Sequence, residues 1–157
     1  AIDTEVRRLI ESDPTFKEML LLLLSVPGVG LLLASHFILL AQFSLEYKLL
    51  ASFLGIAPHE HSSGTSVYKP ATSRHFGPPA IRKLLYPAAC SVCTHRPQFR
   101  TYLARKTQQG KPARLVLNNV ENKLIRIMCA VLSSKTAFIE SYHSVQPLAL
   151  QKALTVS

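Results

Sequence analysis

The sequence predicts a mainly α domain: short helices joined by tight turns, a central Ser-Gly loop, and room for one very short β-hairpin. Three observations predict it. Apolar residues recur at spacings of three and four through most of the chain. Proline and glycine punctuate the apolar runs and mark their ends. No segment is strand-rich, and no internal repeat is visible.

Taken in order, Thr4 to about Leu24 reads as a helix, with Thr4 as its cap and Val6, Leu9 and Ile10 at helical spacing. Asp13-Pro14 should interrupt it, with Asp13 capping a second segment that starts at Pro14. Residues 19–43, MLLLLLSVPGVGLLLASHFILLAQF, are long and apolar enough to raise a membrane span. Pro27, Gly28 and Gly30 split that run at its midpoint, and Ser35, His36 and Gln42 add polar cost. Helix, tight hairpin, helix is the expected form, with no membrane. The turn, Ser-Val-Pro-Gly-Val-Gly, resembles the helix-hairpin-helix motif. Its glycines allow a tight turn, and the free N–H groups of the second helix can hold a phosphate. Gly28 and Gly30 are therefore candidate nucleic-acid contacts, with a plain αα-hairpin as the alternative. His36 lies on an apolar helix and reads as a core histidine.

Ser44 is the expected N-cap of a helix over residues 45–54, with Gly55 at its C-terminal end. Pro58 blocks re-entry into helix, and Ser66-Val67-Tyr68 could form half of a small hairpin. Pro79 suits the first position of the next helix, whose apolar face is Ile81, Leu84 and Leu85. Pro87 should kink or end it. Cys90 and Cys93 share a face of its continuation, Ala88 to Thr94; no second pair completes a zinc site, so they read as small buried residues. His95-Arg96-Pro97 is a break. A basic helix from Phe99 to Gln108 ends at Gly110. Ala113 to Leu132 carries an apolar stripe of Leu115, Val116, Val120, Leu124, Ile127, Met128 and Val131, with Lys123 and Arg126 on its other faces. Beyond Ser133 a loosely attached tail is expected.

The 157 residues suffice for one domain with a real core, and the net charge of +9 points to a polyanionic partner. From Tyr68 to Arg126 the chain holds twelve lysines and arginines against one acid, Glu121. Such concentration favours a binding face over general solubility. Three cysteines, an odd number, and no secretory signal lead to the expectation of a reducing, cytoplasmic setting.

The stretch from Gly55 to Tyr86 concentrates turn residues, hydroxyls and cations. Ser62-Ser63-Gly64 lies at its centre; Lys69, Arg74, Arg82 and Lys83 follow with no acid among them. A serine that attacks phosphate must lose its proton, and the charge that builds on phosphate must be met by cations. A solvated basic loop is the plainer alternative. His59, His61 and His75 stand near in sequence as conceivable bases, although exposed loop histidines are usually bystanders.

These blocks occur in a recognisable order: a charged helix, SVPGVG, QFSLEYKLLASFLGIAP, SSG, a basic stretch, IRKLLYPAA, HRPQFRTYL and GKPARLVLNNVENKLIRIMCAVL. In that order they resemble the C-terminal domain of insertion-sequence transposases of the 110/116/902 type, which include Piv-like DNA invertases. The likeness covers about residues 5 to 132. It implies a leading helix over residues 1–24, a transposase C-terminal domain over 19–132 and a tail over 133–157. It implies Ser63 as nucleophile, with Ser62 as the alternative; Lys69, Arg74 and Arg82, with Lys83 beside them, are the candidates for phosphate contact. Arg82 matches the family's Leu-Arg pair. It implies DNA as partner, a structured guide RNA, and homo-oligomers. An N-terminal ribonuclease-H-like domain would hold magnesium, and no cofactor is expected in this chain. The segment TSVYKPATSRHFGPPAIRK departs from the family pattern, with Gly77-Pro78 where Gly-Asn is usual. The chain begins Ala-Ile-Asp and is expected to be part of something longer. A catalytically inactive nucleic-acid-binding fragment of a decayed transposase is the second reading.

Overall fold

The computed structural model describes residues 2–56, 58–62, 68–73 and 78–140; at residues 2, 3, 6, 10, 58–62 and 68–73 it describes the backbone only. Among these residues are seven helices and one two-stranded hairpin.

Helices α1 (Ile2–Ser12) and α2 (Pro14–Leu24) meet at Asp13. Its carboxylate accepts from the N–H groups of Thr15 (2.9 Å) and Phe16 (3.4 Å), while Pro14 opens α2. α1 begins at Ile2, so Thr4 lies inside it instead of capping it.

α3 (Leu31–Ala41) packs back against α2 across the Ser25–Gly30 turn. Gly28 takes φ +78°, a left-handed conformation that favours glycine. Leu20, Leu23, Val26, Val29, Leu33, Ala34, Phe37 and Ile38 bury the inner sides of this pair. Each large apolar side chain so buried contributes roughly 1.5–3 kcal/mol. Among the described residues no helix is long and apolar enough to cross a membrane. His36 is half-buried, not a core residue; its Nδ1 lies 2.8 Å from the Leu32 carbonyl oxygen of its own helix.

α4 (Tyr47–Phe53) starts two residues later than expected, with Glu46 at the N-cap position. The Ser44 hydroxyl accepts from Glu46 N–H (3.0 Å), a local turn before the helix. At its end Gly55 (φ +69°) donates to the Ser52 carbonyl and Ile56 N–H to that of Ala51, both at 3.1 Å. That pair of bonds is the Schellman arrangement.

The antiparallel hairpin joins β1 (Pro58–Ser62) to β2 (Tyr68–Ser73). The second strand therefore starts at Tyr68; Ser66 and Val67 lie outside the described residues.

α5 (Pro79–His95) starts on Pro79 and runs through Pro87 without ending. Pro87 is exposed, while Leu85, Ala88 and Ala89 face the core on either side of it. α6 (Pro97–Gln108) opens on Pro97, two residues earlier than expected, and ends at Gly110 (φ +81°). α7 (Ala113–Ser134) packs on α2, α4, α5 and α6 and is the spine of the fold. Its stripe departs from expectation at Leu115, which is exposed, and gains Ile125, Cys129 and Leu132. Cys90 and Cys93 are free thiols, and only Cys93 is fully buried.

The chain after Ser133 is docked as far as Glu140. Lys135 turns left-handed, and Phe138 packs against the core. Phe138 N–H donates to the Ser25 hydroxyl (2.8 Å), which itself donates to the Leu22 carbonyl. Arg96 pairs with Glu140 at 3.4 Å. The loose tail expected there is thus corrected for residues 133–140. Burial of Phe138 and its bond to Ser25 hold the segment to the α2–α3 turn, and Arg96 ties its end to the junction of α5 and α6.

Candidate nucleic-acid interface

The hairpin pairs Ser62 with Tyr68 and His61 with Lys69, with a bulge between His59 and His61. Ser62 is thus the last residue of β1, one register step from Lys69. Ser63, Gly64 and Arg74 lie outside the described residues, as does His75. Side chains of the strands are likewise outside it, so the placement of Ser62 and Lys69 is one of backbone register.

The hairpin leaves the helical body at a fixed point. Ile56 is buried, and its carbonyl oxygen accepts two side-chain amides from α7, Asn118 Nδ2 at 2.8 Å and Asn122 Nδ2 at 2.7 Å. Asn122 also donates to the Asn118 carbonyl (3.1 Å). Glu121 stands between them on the same face and is buried, at 6% exposure. Burial pushes its carboxyl up from an ordinary 4.5 to about 7, against the opposing pull of Arg114 and then Arg82. Arg82, on the first turns of α5, is half-buried. Its Nε is the one buried side-chain nitrogen or oxygen among the described residues without a hydrogen-bond partner. The structure therefore gathers Arg82, Arg114 and Glu121 near the root of the hairpin. Lys83 is exposed on α5.

Sequence reading missed Asn118, Glu121 and Asn122. The signal was present: three polar residues at spacings of three and four break the apolar face of α7.

The Glu121 shift predicts a pH dependence. The folded value lies above the unfolded one, so the folded state binds more protons between about pH 4.5 and 7. Stability therefore falls as pH rises through that window, and the cost is complete above it. After allowance for solvent and the two arginines it amounts to about 1–3 kcal/mol. Glu121→Gln should match the parent at pH 4.5 and exceed it in urea midpoint at pH 8.5. An equal gap at both pH values would refute this.

Other cations are engaged within the fold. Arg126 stacks 4.4 Å from the Tyr47 ring centroid and donates to its hydroxyl (2.8 Å). Lys123 lies 5.2 Å from the Phe99 ring centroid. Arg100 donates to the Thr94 carbonyl. Lys111 and Arg114 are exposed at the start of α7.

Gly28 and Gly30 differ in environment. A Cβ on Gly28 would meet Val92 Cγ1 at 2.7 Å and the Ala88 carbonyl oxygen at 2.9 Å. A Cβ on Gly30 would meet nothing within 4 Å. Gly30 is the N-cap of α3, without a side-chain cap. Among the described residues no group of three or more His, Cys, Asp or Glu is placed to hold a metal ion.

The sequence model of the transposase IS116/IS110/IS902 family matches residues 20–104, more than half of the chain. The chain belongs to this transposase family. It is 28% identical over 146 residues to the pilin gene-inverting protein of Moraxella lacunata, covering 90% of this chain and 45% of that protein. It is 28% identical over 144 residues to the insertion element IS110 uncharacterized 43.6 kDa protein of Streptomyces coelicolor, covering 90% and 34%. It is 30% identical over 122 residues to a probable family 20 transposase of Pseudomonas aeruginosa, covering 74% and 36%. This transposase-family chain therefore spans less than half the length of these curated relatives.

Proposed function

We propose that this chain is the C-terminal part of a DNA recombinase, which binds the DNA backbone and supplies a serine for strand cleavage and rejoining. The observation that carries the reading is the family match across residues 20–104, which includes the Ser62-Ser63-Gly64 sequence. The reacting hydroxyl is that of Ser63, with Ser62 as the alternative. Its oxygen attacks the scissile phosphorus, an Oγ–P bond forms, and the bond from phosphorus to one deoxyribose oxygen breaks. That oxygen leaves as a hydroxyl once protonated, and the serine proton passes to solvent. A second hydroxyl later attacks the phosphoserine and rejoins the strand. One phosphodiester replaces another, so no outside energy source is required.

Lys69, Arg74 and Arg82 meet the phosphate, and Lys83 adds charge beside them. An arginine can make two charge-assisted bonds to one phosphate. The turn before α3, with Gly30 open to close approach, contacts backbone phosphate as a helix-hairpin-helix does. The missing portion of the recombinase is a ribonuclease-H-like domain that holds magnesium. The whole assembles as a homo-oligomer and uses a structured guide RNA to choose sites.

Two measurements test this. Duplex binding by this chain should weaken about a thousandfold between 50 and 200 mM salt, as neutralisation of about six phosphates requires. The full-length protein, given its element's own end sequence with a nick that prevents rejoining, should yield a covalent DNA adduct. The adduct should map to residues 62–63. Salt-dependent binding without any adduct would leave the inactive binding fragment as the correct reading.

A further inference from the structure

We infer that Asn118 and Asn122 are positioning residues: by gripping the Ile56 carbonyl together, they aim the hairpin that carries the reacting serine. This rests on the reading of residues 62–63 as the reacting position. Ile56 is held on three sides. Its side chain is in the core, its N–H donates to Ala51, and its carbonyl accepts both amides. One bond would satisfy a buried carbonyl. Two, from successive turns of the longest helix, remove its freedom to rotate about either one. β1 begins two residues later.

The length of the hairpin makes this grip matter. Ser62 lies six positions along the chain from Ile56, a reach of up to roughly 20 Å. A swing of about 10° at the root would move the tip by roughly 3–4 Å. Misplacement of about 1 Å can already cost a hundredfold in rate. The grip thus acts on orientation: neither amide carries charge, and its loss removes none of the cations that bind DNA, Lys69 on β2 and Arg82 near the root of the hairpin.

The test uses Asn118→Leu, Asn122→Leu and the double variant. In this chain, hydrogen exchange of the amides in residues 58–62 and 68–73 should quicken at least tenfold in the double variant, with exchange in α5 and α7 kept. In the full-length protein, single-turnover cleavage at saturating DNA should fall at least tenfold in the double variant, with duplex affinity within about twofold. Each single variant should show less than half of that effect on a logarithmic scale, because the other amide still holds the carbonyl. Should the double variant not fold, the two singles give the same readouts at smaller size. Unchanged hairpin exchange would overturn the inference, as would faster exchange with an undiminished cleavage rate. If Ser62→Ala and Ser63→Ala both cleave normally, the serine reading falls, and the exchange data alone decide whether the amides fix the hairpin.

Discussion

Ser63→Ala in the full-length protein is expected to lower strand cleavage by at least about a thousandfold and to abolish the covalent adduct. Removal of a nucleophile leaves only the contributions of binding and electrostatic stabilisation. Duplex affinity should stay within about twofold, because phosphate contacts by lysine and arginine supply most of the binding. Ser62→Ala is the matched control. Ser62 ends β1 and pairs with Tyr68, so its loss should cost less than about tenfold. The reverse pattern, with Ser62→Ala inactive and Ser63→Ala active, would move the reacting position by one residue. Normal cleavage by both would remove serine chemistry from this chain and leave a binding module. Adduct mapping, cleavage rate and affinity together distinguish these three results.

Elements fixed by local chemistry were legible in the sequence. Asp13-Pro14 marked a helix boundary because a short carboxylate caps and proline tolerates the first helical position. Gly55 and Gly110 marked helix ends because each needs a positive φ. Elements fixed by tertiary contacts were not. Pro87 left a kink or an end open; α5 does not end there, and core residues pack on both sides of it. Leu115 satisfied the helical period of α7 but lies in its exposed first turn. The segment to Glu140 looked like tail because its contacts, to Ser25 and Arg96, come from distant parts of the chain. Apolarity also overstated burial. Leu39 is 60% and Phe43 89% exposed, although both belong to the run that raised a membrane span. At the candidate site, hydroxyls and cations could be read as types. The amide grip on Ile56 could not, since it joins residues more than sixty positions apart.

The two glycines of the α2–α3 turn should separate sharply on substitution. Gly28→Ala is expected to destabilise the chain by at least about 3 kcal/mol. A left-handed φ costs a non-glycine residue roughly 1–2 kcal/mol. The added methyl would then collide with Val92, which is 1% exposed, and with the Ala88 backbone. Neither neighbour can yield without shifting α5, which packs on α3, α6 and α7. Gly30→Ala has φ −96° and open space, so only the weaker N-cap preference of alanine remains, about 1 kcal/mol or less. Chemical denaturation of both variants checks this. A Gly28→Ala chain as stable as its parent would mean that the turn is not pressed against α5. The pair also discriminates between structural and binding roles. Gly30→Ala should remain folded, so any loss of duplex affinity it shows would come from phosphate approach at the start of α3. Gly28→Ala should lose affinity only in proportion to the fraction unfolded, because its Cβ position faces protein and not solvent.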